Sequence, residues 1–333
     1  MYHFPKNFIN KTNKAKYMIT TMEYKDEKIV KDDLKDITSP KTFNWVDVVE
    51  PTKEELKTIA SITKIPIHHL HMAVEEEERP KVVEIDGPFS LLIFGAPSFE
   101  EDEITTTPVF MYISKQHNYI ITIRKRDAKS ISKLKNSEKI NSFFDKGPSY
   151  FTYRLMDAIL SAYFDVLDDV EDIIDKIEDK VLKEPDIHIV EKIFETKKTL
   201  IYFTKTMTAN REVISSIERG YVHEIDKRRA PQFIALYNDT VQLVDMSTTF
   251  REILTGTLDT YLSSVSNNLN HIMKTLTVGA SFVLIPTLIA SVYGMNFKVM
   301  PELYWKYGYV FSIGLMVVSS FAIWLFFKKK KWV

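Results

Sequence analysis

Oxygen-bearing side chains recur at helical spacing through one of the most apolar parts of this chain. The series is Asp259, Ser266, Asn270, Met273, Thr277, Ala280, Leu284, Thr287 and Ser291, steps of mostly three, four or seven residues that share one helix face. Neutral oxygens at Asn270 and Thr287 alternate on it with the apolar groups of Met273, Leu276 and Leu284. One reading is the wall of a water-filled pore. The other is that small polar residues let membrane helices pack closely, and periodicity alone leaves both open. Enzyme chemistry is excluded more firmly: there is no nucleotide-binding glycine loop, no nucleophile with a partnered base and no cluster of metal ligands at recognisable spacing.

Two other sets of residues invite chemistry. Asp165–Glu184 holds nine carboxylates against three lysines, which reads as a solvated helix face before it reads as an attractor of cations. His68, His69 and His71 lie close together, and 68 and 71 share a helix face. Without further ligands nearby they read as ordinary histidines rather than a structural metal site.

These residues need elements to hold them. Residues 1–148 read as an α/β domain with a mixed sheet. Strands are expected at Tyr17–Tyr24, Phe43–Val49, Val82–Ile85, Phe89–Phe94, Val109–Ser114 and Tyr119–Arg124, with Asp86-Gly87 as a hairpin signal. Thr52-Lys53-Glu54-Glu55 is a capping-box pattern that opens a helix to about Thr63. Pro66 starts a second helix ending in the acidic run Glu75–Glu78, and Ala128–Asn136 closes the domain. Gly147-Pro148 breaks this pattern, and residues 149–230 form an acidic helical hairpin turning at Glu184-Pro185-Asp186. Its first helix carries the stripe Leu155, Ile159, Ala162, Val166, Val170, Ile173, Ile177 and Val181.

Between Pro231 and Pro286 there is no proline, so residues 231–293 read as one stalk helix. At 1.5 Å per residue the stretch between the two prolines alone reaches roughly 80 Å, far more than a bilayer needs. Phe250, Leu254, Leu258, Leu262, Val265, Leu269, Ile272 and Leu276 make one apolar stripe along it. A single helix cannot hide such a stripe and requires copies of itself.

Thr275–Phe297 and Tyr307–Phe327 are free of charge and long enough to cross a bilayer. Residues 294–306 join them, and 328–333 form a basic tail. Lys274 precedes the first span and Lys328–Lys331 follow the second, so the positive-inside rule places both termini in the cytosol. The N-terminal residues lack an apolar run of signal-peptide length, and the large domain is expected to stay cytosolic. With 44 basic and 45 acidic residues the chain has no global field that would favour nucleic acid. It has no cysteine, hence no disulfide or thiolate site.

Tyr293-Gly294-Met295-Asn296-Phe297, followed by Met300-Pro301-Glu302-Leu303 and the closing Lys328–Trp332, resembles the CorA family of magnesium transporters. The likeness extends back through Tyr261–Asn267 and the stretch at Phe250, and in outline covers the chain. It implies a homopentameric channel in the cell membrane, with membrane lipid and further copies of itself as the only partners. It also implies passive uptake of Mg2+, with Co2+ or Ni2+ as further cargo. Mg2+ gives up its water shell reluctantly, so the filter implied at Gly294, Met295 and Asn296 would offer an acceptor ring to a hydrated ion. The resemblance places polar pore rings at Asn270, Thr287 and Asp259 and a hydrophobic constriction at Met273 and Leu276. With Thr277 and Leu284 these complete the expected pore lining.

The resemblance also implies inhibition by cytosolic Mg2+ bound between subunits. Glu100, Glu101, Asp102 and Glu103 would supply one side, and Asp239 the other. The chain departs from the family pattern in three places. Ala235 stands where a stalk carboxylate is expected, Leu284 where a relative has methionine, and Pro286 falls one place late. Alternatives are Co2+, Ni2+ or Zn2+ transport by the same architecture, Met295 favouring the magnesium branch, or a non-conducting membrane-anchored cation sensor. The sensor leaves Asn296 and the polar residues of the first span unexplained.

Overall fold

A computed structural model describes residues 18–25, 28–30, 42–75, 78–85, 87–100, 103–183, 186–298 and 300–332. The described residues fall into two compact units. One holds the residues up to Asp179 with Ile187–Gly256, the other Lys180–Asp186 with Thr257–Val333.

The first unit is built on strands β1 (Met18–Lys25), β2 (Lys28–Val30), β3 (Phe43–Val49), β4 (Lys81–Val83), β5 (Ser90–Glu100), β6 (Glu103–Ser114) and β7 (Tyr119–Arg124). They form one mixed sheet in the order β2-β1-β3-β7-β6-β5-β4, parallel only between β3 and β7. That pairing needs a long crossover, which holds helices α1 (Lys53–Thr63) and α2 (Ile67–Glu75) and the β4–β6 strands. The Thr52 capping box forms: Thr52 N–H donates to the Glu55 carboxylate at 2.7 Å, and Glu55 N–H donates to Thr52 Oγ1 at 3.2 Å.

Strands with period-two burial present two apolar faces. Val46, Val48, Leu91, Ile93, Phe110, Tyr112, Ile121 and Ile123 pack with Leu56, Ile59 and Leu70 of α1 and α2. On the opposite face Phe43 and Trp45 meet Phe151, and Phe43 meets Phe144. Phe144 belongs to α4 (Ile140–Asp145), which follows α3 (Lys129–Lys135), and Phe151 opens α5 (Pro148–Lys183). Asp47 is buried on this side, ion-paired with Arg124 and 3.3 Å from Lys135 Nζ. Burial alone would raise its carboxyl, but Arg124, Lys135 and the Thr122 hydroxyl outweigh that and hold it below the usual carboxylate range.

Helix α6 (Ile187–Glu218) closes the layer beside α5. β4 pairs with β5 only as far as Lys81↔Ile93, so two residues on, Gly95 has no strand on that side. Its neighbour on the other side is Pro108, which has no N–H to give. Asn210 of α6 takes the place of the missing strand: its Oδ1 accepts from Gly95 N–H at 2.7 Å and its Nδ2 donates to Gly95 C=O at 2.9 Å. A Cβ on Gly95 would collide with the Thr206 methyl. Asn210→Leu leaves the buried Gly95 N–H unpaired, while the Gly95 C=O keeps the Tyr163 hydroxyl at 3.3 Å. Its expected cost is about 2–3 kcal/mol, read as a lower unfolding midpoint.

The structure differs from the sequence expectation in several elements. β5 and β6 reach Glu100 and Glu103, well beyond the expected strands, because the hairpin register continues in step to Glu100↔Glu103. β2 and α4 were not anticipated; β2 is only three residues and α4 only six, too short for a period to register. Tyr17, Glu76, Glu77, Asp86, Glu184 and Pro185, on which a strand start, an acidic run and two turns were placed, lie outside the described residues. In α5 the inward side takes Tyr163, Leu167 and Ile174, while Ala162 and Ile173 are only half-buried.

Candidate functional site: the exposed face of α7 and its terminal loop

Helix α7 runs without interruption from Ala230 to Tyr293, 64 residues, passing through Pro286. Pro286 supplies no amide hydrogen to the carbonyl four residues back, yet the helix continues around it.

Along α7 the apolar stripe changes partner. Phe233, Leu236, Leu243, Phe250 and Leu254 are buried within the first unit, whereas from Asp259 to Tyr293 no residue of the helix is buried. Leu262, Leu269, Ile272, Leu276 and Val283, the continuation of the same stripe, are all more than half exposed. The stripe is thus one feature in sequence and two in structure. Its lower part belongs to this chain's core, and its upper part is largely uncovered among the described residues.

The second unit is α7 from Thr257 onward, a loop, and helix α8 (Gly308–Lys329). Both α7 and α8 are long and apolar enough to cross a membrane. The half-buried residues of the upper α7, Val278, Phe282, Ile285, Ile289 and Tyr293, recur along one side. In α8 the shielded residues are Gly308, Ser312, Met316, Ser319, Ile323 and Phe327, again one side. Asn270, Met273, Thr277, Leu284 and Thr287 are all exposed. At about 3.6 residues per turn they centre roughly 140° from the shielded side of α7. Asp259 and Leu276 are exposed as well. The seven sequence-predicted residues of this helix therefore stand on a surface left exposed by the described residues.

Hydroxyl geometry on that surface is specific. Thr277 Oγ1 donates to Met273 C=O and Thr287 Oγ1 to Val283 C=O, each at 2.7 Å. Each hydroxyl has one hydrogen, and it is committed to the helix's own backbone. What remains outward is an oxygen with free lone pairs, an acceptor only. A hydrated cation presents water hydrogens, so such oxygens suit its shell and not a bare anion.

At Tyr293 the helix ends in a loop tied by backbone bonds. Gly294 N–H donates to Ala290 C=O at 2.9 Å and Met295 N–H to Val292 C=O at 3.3 Å. A Cβ on Gly294 would sit 3.2 Å from the Ala290 oxygen, so the first residue of the expected filter has little room for a side chain. Asn296 follows, exposed, and its amide has no hydrogen-bond partner among the described residues. The return is made by a short 3₁₀ turn, Pro301–Tyr304, and by edge-on contact of Trp305 with Tyr307 and tilted contact with Phe311.

Gly308, which the sequence reading passed over, is central to this return. Its N–H donates to Trp305 C=O at 2.9 Å, and a Cβ there would collide with the Glu302 carbonyl. The available signal was a glycine placed at the junction of loop and apolar run. Gly308→Ala is expected to displace the loop while α7 still folds, checked by limited proteolysis of the loop and circular dichroism together.

Only part of the expected regulatory set falls among the described residues. Glu101 and Asp102 lie outside the described residues, and the backbones of Glu100 and Glu103 close the β5–β6 hairpin. Asp239 lies on α7 in the first unit, and burial pushes its carboxyl up. Nearby Asp157 is likewise raised by burial and by Asp239, against the pull of Arg154 at 2.5 Å. Among the described residues no group of three or more histidines and carboxylates is arranged to hold a metal ion. His68 and His69 pack ring to ring at 4.0 Å, and burial and His68 lower the His69 pKa.

Two membrane-length helices joined by a tied loop, the first continuous with a helix of an α/β domain, are consistent with a two-span membrane protein. The family model described as CorA-like Mg2+ transporter protein matches residues 40–329. This chain belongs to the CorA family. It is 36% identical over 321 residues to the cobalt/magnesium transport protein CorA of Methanocaldococcus jannaschii, covering 95% of this chain and all of that one. To the protein of the same name from Thermotoga maritima it is 42% identical over 188 residues, 56% of this chain and 54% of that one. The complete structure of the Methanocaldococcus jannaschii CorA magnesium transporter superposes with a TM-score of 0.84 at 32% identity, covering 95% of this chain and 99% of that one.

Proposed function

We propose that this protein is a Mg2+ channel of the cell membrane, a ring of five copies with both termini in the cytosol, that passes the hydrated ion inward down its gradient. The observation that carries this reading is the uncovered acceptor face of α7 ending in the loop of Gly294, Met295 and Asn296. In a ring that face turns to the axis, and the exposed Leu262–Val283 stripe finds cover against neighbouring copies. Asp259 and Asn270 line the cytosolic approach. Met273 and Leu276, with Leu284 above them, make apolar rings that close the pore by dewetting. Thr277 and Thr287 offer oxygens between them. Asn296 supplies side-chain carbonyls at the outer mouth, where helix C-termini add partial negative charge.

The division of labour follows the chain. Residues 1–148 form the cytosolic domain, 149–230 the hairpin, 231–293 the stalk and inner span, 294–306 the outer loop, 307–327 the lipid-facing span and 328–333 the basic tail. Inhibition by cytosolic Mg2+ would join Glu100–Glu103 of one copy to Asp239 of the next, and removing Mg2+ should then increase both protease sensitivity and current. Transport of Co2+ is a second reading, favoured by the cobalt/magnesium names of the two relatives; Ni2+ belongs with it.

The test is Mg2+ entry into sealed proteoliposomes containing the full chain, with parallel Co2+ and Ni2+ influx. Expected is Mg2+ influx that hexaamminecobalt(III), a mimic of the fully hydrated ion, blocks from outside. Vesicles no more permeable than protein-free ones would refute the channel. Influx indifferent to the mimic would refute a filter for the hydrated ion.

A further inference from the structure

Away from α7, one side of α6 is exposed and chemically unlike the rest of the hairpin. Phe194, Ile201 and Tyr202 are 57%, 49% and 48% exposed, on the side opposite the buried Ile193, Leu200, Phe203 and Met207. Lys198 and Lys205 are exposed among them, and neither has a carboxylate partner among the described residues. The spacing of 194, 198, 201, 202 and 205 makes one continuous apolar and basic strip.

The neighbouring helix carries its complement. Asp168, Asp172 and Asp175 of α5 are exposed and likewise form no ion pair among the described residues. Crowding is evident there: burial and the carboxylates of Asp172, Asp165 and Asp168 push the Asp169 carboxyl up. A chain bearing two unpaired, complementary faces at different places on its surface is suited to head-to-tail contact. Such contact closes into a ring when the rotation allows it.

We infer that the strip Phe194–Lys205 of α6 docks against the acidic face of α5 on the next copy of this chain. The inference rests on the ring proposed above and names a contact within it that is distinct from the α7 bundle. In a ring related by rotation, α6 meets its neighbour's α5 antiparallel, as the two helices already run in one chain. Counting outward from their turn, Lys198 stands level with Asp172, and Lys205 within one turn of Asp168. Each lysine then gains a counter-ion, and the rings of Phe194 and Tyr202 lose exposure to water.

The chain has no cysteine, which makes the test direct. Full-length Lys198→Cys and Asp172→Cys chains, distinguishable by tag length, are co-expressed and oxidised in the membrane. Expected is a disulfide-linked dimer containing one of each, with neither variant linking alone. In a second arm, Lys198→Glu with Lys205→Glu lowers the temperature at which the ring dissociates, and adding Asp168→Lys with Asp172→Lys restores it. A ring intact by native mass spectrometry that yields no mixed dimer overturns this contact and leaves the channel standing. Self-linking of Lys198→Cys alone overturns it too, since that requires a two-fold arrangement. Absence of both ring and Mg2+ flux removes the channel reading and this contact together.

Discussion

Asn296→Ala is expected to abolish selective Mg2+ influx while leaving folding unchanged. Asn296 is exposed beyond the end of α7, and its amide has no partner among the described residues, so no structural bond is lost on truncation. In the proposed ring, five side-chain carbonyls vanish at once from the place where the hydrated ion is held. At about 0.5–1 kcal/mol for each hydrogen bond to the ion's water shell, the loss amounts to roughly 3–5 kcal/mol. With about 1.4 kcal/mol per decade, influx at low Mg2+ should fall at least about a hundred-fold, and block by hexaamminecobalt(III) should weaken in parallel. Circular dichroism and ring mass should match the unaltered protein. Normal influx with normal block would remove Asn296 from the filter.

The second large effect concerns stability. Asp47→Ala removes the buried partner of Arg124 in the sheet domain, where both side chains are almost fully buried, and leaves Arg124 only the more exposed Asp127 carboxylate at 3.1 Å. Breaking a buried pair from one side costs about 3–5 kcal/mol. Lys135 and Trp45 lose their setting as well: Lys135 loses its ion pair with Asp47, and Trp45 donates to Thr122, which itself donates to Asp47. The sheet domain should therefore unfold at a much lower denaturant concentration. The pH dependence has a definite sign. Asp47 has a lowered pKa in the folded state, so its contribution is complete above the unfolded value of about 3.9 and disappears as pH falls through the folded value. Asp47→Asn should therefore flatten the acid limb of the stability profile below about pH 4. An unchanged limb would mean that other carboxylates govern acid unfolding.

Much of the architecture was legible in residue order because its signals are local. A capping box at Thr52 needs four residues, a charge-free run needs only its own length, and the absence of proline from 232 to 285 is enough to anticipate α7. The loop that ends α7 was legible for a different reason. Tyr293-Gly294-Met295-Asn296-Phe297 between two apolar runs is rare enough to carry a family with it, whereas no periodicity would have singled out Asn296.

Features made by distant residues were hidden. Nothing near Gly95 announces that Asn210, 115 positions away, completes its hydrogen bonds. Nothing near Asp47 announces Arg124, because β3 and β7 are brought side by side only by a parallel crossover. The apolar stripe from Phe250 to Leu276 looks uniform in sequence, yet only the fold decides that Phe250 and Leu254 are core and Leu262 onward is uncovered. By itself, then, the sequence determined the helix that carries the oxygens, their spacing along it and the loop that ends it. Helical period and local steric rules act within a few residues. The back-bonds of Thr277 and Thr287, four residues each, are local in the same way. The tertiary structure decided which side of that helix is free and that the basic strip of α6 and the acidic face of α5 form no ion pair with each other among the described residues, since burial and pairing depend on what the rest of the chain places alongside.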